Sequence, residues 1–448
     1  MELDIAIVGG GPAGAATALS LLDREPLRVG IFERSPQPVF RIGESVPPSI
    51  QFLLARLGVF DAFERAGHWP SLGNCSAWGD DELGFNDFWA SIGGRGWHLN
   101  RAQFDASLLQ AAAERGAVVQ RGVRVMGGEL EANGQWRLAL RDRNDNVSQV
   151  TAAFVVDASG PRSVFARGQG VRTVRMDNLL GLAAVFPLTG TEAKKTAYTL
   201  IEAAELGWWY AARLPGQRLI VTLMCDRDLV HQYRLSQLEQ WTATLRKTRH
   251  VQFLTDGTRI PSKLLIQPAF SQYLERASGD RWLAVGDAAC KLDPLSSAGI
   301  YKALRSGIQA AETIQQFRQG QHNALRSYAA KNQYQFERYL EDRRQYYAQE
   351  TRWSSSPFWQ RRQGKLTLAP ETVLSHPISP QTVARLKRLD AHLPPKDLQL
   401  LYQLCDKPKP ASEVVANFLA QTASQFSAYR PIEALQYLIE QNVLQVTA

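Results

Sequence analysis

Residues 5–14 read Ile5-Ala6-Ile7-Val8-Gly9-Gly10-Gly11-Pro12-Ala13-Gly14, and the alanine- and leucine-rich stretch Ala15 to Leu22 follows directly. The apolar run predicts a strand and the stretch after it a helix, so the glycines become the turn of a dinucleotide cradle. Gly9 permits the tight turn, Gly11 lets backbone amides approach a pyrophosphate, and Gly14 lets helix pack on strand. The helix start at Pro12 and Ala13 offers partial positive charge to the phosphates. A second strand, Leu27 to Phe32, ends on Glu33, roughly 20 residues after the glycines, where a ribose-binding acid is expected; Arg34 stands beside it. The fold class predicted is α/β with a Rossmann-like nucleotide domain.

Two later segments turn the expectation from NAD towards FAD. Phe154-Val-Val-Asp157-Ala-Ser159-Gly160 is a short apolar strand ending in an acidic turn. Trp282-Leu-Ala-Val-Gly286-Asp287 is another, followed by Asp293-Pro294-Leu-Ser296-Ser297-Ala-Gly299 and a helical stretch from Ile300. These residues resemble the family of flavoprotein aromatic hydroxylases and flavin-dependent halogenases. The resemblance implies that Asp287, in the Gly286-Asp287 pair, bonds the ribityl chain, and that Pro294 to Gly299 and Ile300 pass beside the flavin ring. Arg41-Ile-Gly43-Glu44-Ser45-Val-Pro47 resembles the loop that covers the flavin, which places Arg41 and Ser45 near it. Arg101, in Trp97-His98-Leu-Asn100-Arg101, matches the family arginine that reaches the FAD, and Val123 to Val125 match the strand that meets the adenine.

Composition is that of an ordinary globular enzyme: 448 residues, 45% of them hydrophobic, enough for two or three domains. No apolar run approaches the ~20 residues a membrane helix needs, and Glu2 and Asp4 precede the first one, unlike a signal peptide. A cytoplasmic enzyme without a membrane partner is therefore expected. Four scattered cysteines without CxxC spacing and seven histidines not paired at ligand spacing argue against a disulfide framework and a metal site. The net charge of +8 raises the question of nucleic acid. Its clusters, Arg343-Arg344, Arg361-Arg362 and Lys407-Pro-Lys409, are isolated and lack interleaved aromatics, so an anionic cofactor or an acidic protein partner is the better use.

Along the chain, residues 1–75, 100–171 and 268–320 are expected to assemble the FAD domain from discontinuous pieces. Residues 76–99 and 172–267, with alternating runs such as Ala197 to Ile201 and Arg218 to Met224, predict an inserted β-sheet that roofs the substrate. A helical connector spans 321–400. Residues 401–448 predict a small winged-helix-like module with helices over Ala411 to Ala423 and Pro431 to Asn442, read as a packing or docking element because it lacks a basic recognition helix.

No second GxGxxG seats a nicotinamide cofactor and no redox CxxC is present. The chemistry the resemblance leaves is reaction of reduced flavin with O2, giving a hydroperoxide that transfers oxygen to an electron-rich ring, with NAD(P)H or reduced flavin as external reductant. Asp293, Pro294, Ser296 and Ser297 are the candidate catalytic residues, and His98, Trp208, Trp209 and Tyr210 the candidate substrate pocket. Flavin halogenases carry a Trp-x-Trp-x-Ile-Pro signature and a catalytic lysine; here the matching stretch is Gly207-Trp208-Trp209-Tyr210-Ala-Ala-Arg213-Leu214-Pro215, and Cys75 to Leu99 hold no lysine.

Cys75-Ser-Ala-Trp78-Gly79, Gly96-Trp97-His98 and Ser356-Pro357-Phe358-Trp359 resemble the subgroup of flavoproteins that mature tryptophylquinone-containing amine dehydrogenases and amino-acid oxidases. That resemblance implies a tryptophan in a partner polypeptide as substrate. Competing expectations are a small-molecule aromatic or indole hydroxylase, a halogenase, a flavin-dependent saturase and a non-enzymatic flavoprotein chaperone. The sequence leaves monomer and dimer open.

Overall fold

The amino-terminal apolar run forms the strand Glu2–Val8, and the helix after the glycines spans Pro12–Leu22. Residues 1–188, 197–363, 368, 371–375, 386, 393–422, 429–440 and 443–447 are described in this computed structural model. Glu2–Val8 lies in the middle of an eight-stranded sheet, flanked in parallel by Val29–Glu33 and Val147–Asp157. Val118–Arg121 adds outside Val29–Glu33, and Trp282–Ala284 outside Val147–Asp157. The central strands are buried on both faces over Ile5–Val8, Val29–Glu33 and Phe154–Asp157, as a parallel sheet covered on both sides requires. The α/β class and the Rossmann-like core are thus as the sequence predicts.

A second sheet of seven strands stands over the first. Its order is Leu265–Pro268, Leu179–Pro187, Arg218–Asp226, Gly207–Leu214, Tyr198–Ala204, Gly73–Ala77 and Gly84–Asp87. All neighbours run antiparallel except Tyr198–Ala204 with Gly73–Ala77. The sheet recruits Gly73 and Asn74 at one end and Pro268 at the other. A small sheet of Ser45–Val46, Gly96–His98 and Trp69–Ser71 joins the two layers, with Ser45 opposite His98. The helix Gly299–Arg318 packs along Pro12–Leu22, and the helix Asn323–Ala348 continues to Pro357–Gln363.

The carboxy-terminal module has its own core of Leu374, Leu398, Leu401, Val414, Phe418, Leu435 and Leu438. Helices Ala411–Gln421 and Tyr429–Glu440 fall where the sequence places them, their expected ends at 423 and 441–442 lying outside the described residues. A third helix, Pro395–Gln403, and the strand Val373–Ser375, which pairs with Gln445–Thr447, extend the module upstream of residue 401. Part of the expected connector, 364–367, 369–370, 376–385 and 387–392, lies outside the described residues. Arg430 keys the module to the body. Its guanidinium is buried, donates to the Tyr273 hydroxyl over 3.1 Å and stands 4.5 Å from that ring.

Candidate active site

The cradle is built as its glycines demand. Gly9 has φ +112°, and a Cβ there would sit 2.3 Å from the Ala158 carbonyl oxygen; one on Gly14 would sit 2.1 Å from the Gly9 oxygen. Gly11 differs: a Cβ would meet nothing nearer than the Arg41 guanidinium at 3.6 Å. Gly9 and Gly14 therefore shape the turn, whereas Gly11 keeps open the space above the helix amino terminus, with Arg41 facing it. That is a fit for a dinucleotide pyrophosphate, which needs approach to free amides and a cation. Glu33 is buried, accepting from the Gly10 amide at 2.8 Å and the Ser35 amide at 2.8 Å. Together with Gly10, Arg41, Asp105 and Leu109 it lines a cavity. Burial and the neighbouring cations Arg162, Arg41 and Arg124 push the Arg34 guanidinium below its ordinary range, a crowding that an anion would relieve.

Other cofactor candidates take internal roles. Asp157 is fully buried and accepts from the Ser159 amide and hydroxyl and from the Ala166 amide, so it fixes the turn beyond its strand. Arg101 forms a two-point pair with Asp105 and donates to the carbonyls of Ile42 and Gly43 at 3.1 and 3.0 Å, pinning the Arg41–Pro47 loop. Val125 is buried on Arg124–Leu130, and the Val123 amide donates to the Glu33 carbonyl. Gly286 takes φ +57° and donates to the Ser306 hydroxyl. Asp287 pairs with Lys302 at 2.9 Å and stays partly exposed, available to a further donor. Gly299 and Ile300 open a 20-residue helix, whose free amides would suit an electron-rich ring edge placed there.

The Asp293–Ser297 turn is anchored from behind. Asp293 is 1% exposed; one carboxylate oxygen accepts from the Leu295 amide, the other from the Tyr347 hydroxyl at 2.9 Å, and its own amide donates to the Tyr339 hydroxyl. Burial raises its pKa and Arg343 opposes that rise. Asp293 is thereby committed to holding the turn rather than to meeting a substrate. Pro294 and Ser296 form a single 3-10 turn, Ser296 donating to the Asp293 carbonyl, and Ser297 adopts the left-handed conformation at φ +46°.

The aromatic triplet divides by strand alternation. Trp208 and Tyr210 face the flavin layer: the Trp208 indole donates to the Tyr347 hydroxyl, and Tyr210 reaches the Arg41–Pro47 loop. Trp209, between them, points to the opposite face and packs on Trp241 at 5.1 Å. It is core behind the sheet, which corrects the expectation that all three line one chamber.

Around Tyr210 the fold assembles a continuous buried network. The Tyr210 hydroxyl donates to Glu44 at 2.6 Å and lies 2.7 Å from the Ser45 hydroxyl; Ser45 reaches Thr199 at 2.9 Å, and Thr199 reaches His98 Nε2 at 2.9 Å. Burial raises the Glu44 carboxyl, partly offset by the Tyr210 bond, and lowers the His98 imidazole to about 4. A cluster of five linked polar groups results, able to hold or pass a proton. Ser45, His98 and Tyr210 were among the sequence candidates; Glu44 and Thr199 were not. An acid set between Gly43 and the apolar Val46-Pro47 was the one signal for Glu44.

Comparison with known proteins bears on this arrangement. The model of the family described as tryptophan halogenase matches residues 4–72 and 90–378. The chain belongs to the tryptophan halogenase family. A relative from Marinomonas mediterranea, named a putative FAD-dependent oxidoreductase LodB, is 33% identical over 361 residues, 80% of this chain and 96% of the relative. The family member also superposes on the myxobacterial chondrochloren halogenase CndH with TM-score 0.74 at 20% identity, covering 98% of this chain and 96% of that one. It superposes on the peptidyl tryptophan dihydroxylase QhpG, essential for tryptophylquinone cofactor biogenesis, with TM-score 0.67 at 22% identity, covering 98% and 99%. This family member is an FAD-dependent enzyme that uses O2. Among its described residues no helix is long and apolar enough to cross a membrane.

Proposed function

We propose that this chain is a monooxygenase that hydroxylates an aromatic ring, and that the ring is the indole of a tryptophan in a partner polypeptide being matured to a tryptophylquinone. The observation that carries the reading is the absence of any lysine from Cys75 to Leu99, where the resemblance to halogenases calls for one, while the hydrogen-bonded network beside it holds His98, Thr199 and Ser45. The relative QhpG, named for acting on a peptidyl tryptophan, and the coverage of nearly all of both chains support the same choice.

FAD, when bound, reduced and supplied with O2, provides one oxygen atom to the ring and releases the other as water. The chain's residues do the rest. Gly11, Arg41 and Glu33 would hold the dinucleotide, Asp287 the ribityl chain, and Gly299 and Ile300 the ring edge. Arg101 holds the covering loop shut. Trp208 and Tyr210 help exclude water, which a reactive oxygen donor requires. The ring carbon that gains oxygen loses its hydrogen as a proton, and the network from Glu44 to His98 is the buried set able to take it.

A second reading, halogenation of an aromatic ring, is favoured by relatives such as a flavin-dependent halogenase of Armillaria mellea, 26% identical over 70% of this chain. One experiment separates them. The unmodified tryptophylquinone precursor polypeptide of the same host is incubated with the holoenzyme, a reductant, air, chloride and bromide, and its intact mass and fragments are read. Oxygen localised to a tryptophan supports the hydroxylase; a halogen isotope pattern supports the second reading; an unchanged precursor overturns both.

A further inference from the structure

The strand Gly84–Asp87 closes one side of the seven-stranded sheet, and among the described residues nothing pairs with its outer edge. Which of its groups face outward follows from the register. The Phe88 amide donates to the Leu72 carbonyl at 2.8 Å, so this pair is hydrogen-bonded. Hydrogen-bonded and non-hydrogen-bonded pairs alternate in an antiparallel ladder. Asn74 and Asn86 are then bonded, while Gly73 with Asp87 and Cys75 with Phe85 are not. The amides and carbonyls of Phe85 and Asp87 therefore point away from the sheet, spaced as a strand spaces them.

Beside this edge the chain displays apolar side chains. Phe85 is 60% exposed, Trp89 80% and Ile92 84%. The loop presenting them is built: Phe88 is buried, Ser91 donates to Phe88, Gly94 to Ser91 and Arg95 to Gly93. An open edge flanked by exposed aromatics invites aggregation, and proteins without a use for one block it. Among the described residues no other segment covers it, and the family match skips residues 73–89, the strand pair itself.

The edge also lies close to the network that ends on His98. Gly84–Asp87 pairs with Gly73–Ala77, which pairs with Tyr198–Ala204, the strand carrying Thr199. Two strand spacings are roughly 10 Å. The loop after Trp89 runs into Gly96–His98, whose histidine ends the buried network.

The geometry points to a docking edge: the polypeptide that carries the target ring adds as an extended strand along Gly84–Asp87 and seats apolar side chains on Phe85, Trp89 and Ile92. Outward amides and carbonyls at strand spacing are satisfied in full by another extended backbone, which selects a polypeptide over a free metabolite. This rests on the reading that the substrate is a tryptophan in a polypeptide, and names how that polypeptide is held.

The test uses the holoenzyme and the unmodified tryptophylquinone precursor of the same host. Phe85→Pro removes an outward amide without touching the inner ladder, a position where an edge strand tolerates proline; Trp89→Ser with Ile92→Ser removes the apolar seat. Both are expected to keep FAD content and the rate at which the reduced enzyme consumes O2 alone, and to raise KM for the precursor at least about tenfold with little change in kcat. Hydrogen exchange of wild-type residues 84–92 should slow on adding precursor. Variants that match wild type in KM, or exchange that slows only elsewhere, overturn the docking edge while leaving the hydroxylase reading intact. Precursor that binds with protection at 84–92 yet is never oxygenated sustains the edge and overturns that reading. Precursor that neither binds nor reacts overturns both.

Discussion

The Tyr210 hydroxyl donates to the Glu44 carboxylate across 2.6 Å, joining the middle of the seven-stranded sheet to the Arg41–Pro47 loop. Glu44 is buried and Tyr210 half-buried, so removing the hydroxyl takes a partner from a carboxylate with little access to water. Tyr210→Phe is expected to cost about 1–3 kcal/mol of stability, the price of an unsatisfied buried acceptor. It should also slow turnover by unlinking Glu44 from Ser45. Thermal unfolding of the FAD-loaded protein and steady-state rates check this; an unchanged melting temperature would remove Tyr210 as the tie between the layers.

His98 gives the protein an acid sensitivity. Its ordinary value near 6.5 falls to about 4 on burial, so between these values the unfolded chain binds a proton that the fold refuses. Stability present above pH 6.5 is lost as pH falls towards 4, by up to roughly 3 kcal/mol. His98→Gln should flatten that part of the profile. Denaturant titrations at pH 7 and pH 5 measure the difference, and equal pH dependence in the two proteins would refute it. His68, also lowered to about 4, supplies a similar background in both.

Gly11→Ala should separate cofactor binding from folding. A Cβ there meets only Arg41, at 3.6 Å, and the backbone at φ −75° suits alanine. The apoprotein should unfold within about 0.5 kcal/mol of wild type, yet purify with little flavin, as its absorbance would report. Gly14→Ala, whose Cβ would sit 2.1 Å from the Gly9 oxygen, should fail in both respects.

Arg362 and Asp226 form a buried pair, with Arg361 reaching the same carboxylate at 3.0 Å. Arg362→Ala leaves that charge without its buried partner and is expected to cost about 3–5 kcal/mol. Chemical denaturation would show the loss. Among the described residues the side-chain hydrogen bonds of Arg362 and Asp226 go to each other, to Arg361 and to the Phe358 carbonyl, so flavin content at low temperature should hold.

What the sequence disclosed was local. The fingerprint glycines and Glu33 carry their meaning within one strand–turn–helix, and that part of the fold is legible without a structure. Glu44 and Thr199 are different: they stand far apart in the chain and join one network through Tyr210 and Ser45 because the Ser45–Val46 strand pairs with Gly96–His98 while Tyr198–Ala204 pairs with Gly207–Leu214. No spacing rule reports a contact set by two separate registers. The placement of Trp209 was legible, since consecutive strand residues face opposite ways, but three adjacent aromatics read as a cluster. The carboxy-terminal module was read too short because Val373–Ser375 completes it across some seventy residues by pairing with Gln445–Thr447.

Arg430 makes that module part of the enzyme's body rather than a passenger. Its charge sits against Tyr273 and Phe336 and 3.8 Å from Glu337 on the long helix. A chain shortened before Arg430 would uncover those rings and leave the Glu337 carboxylate facing no cation there. Trimming the terminus would therefore yield an adhesive, acid-faced scar on the catalytic body instead of a smaller working enzyme.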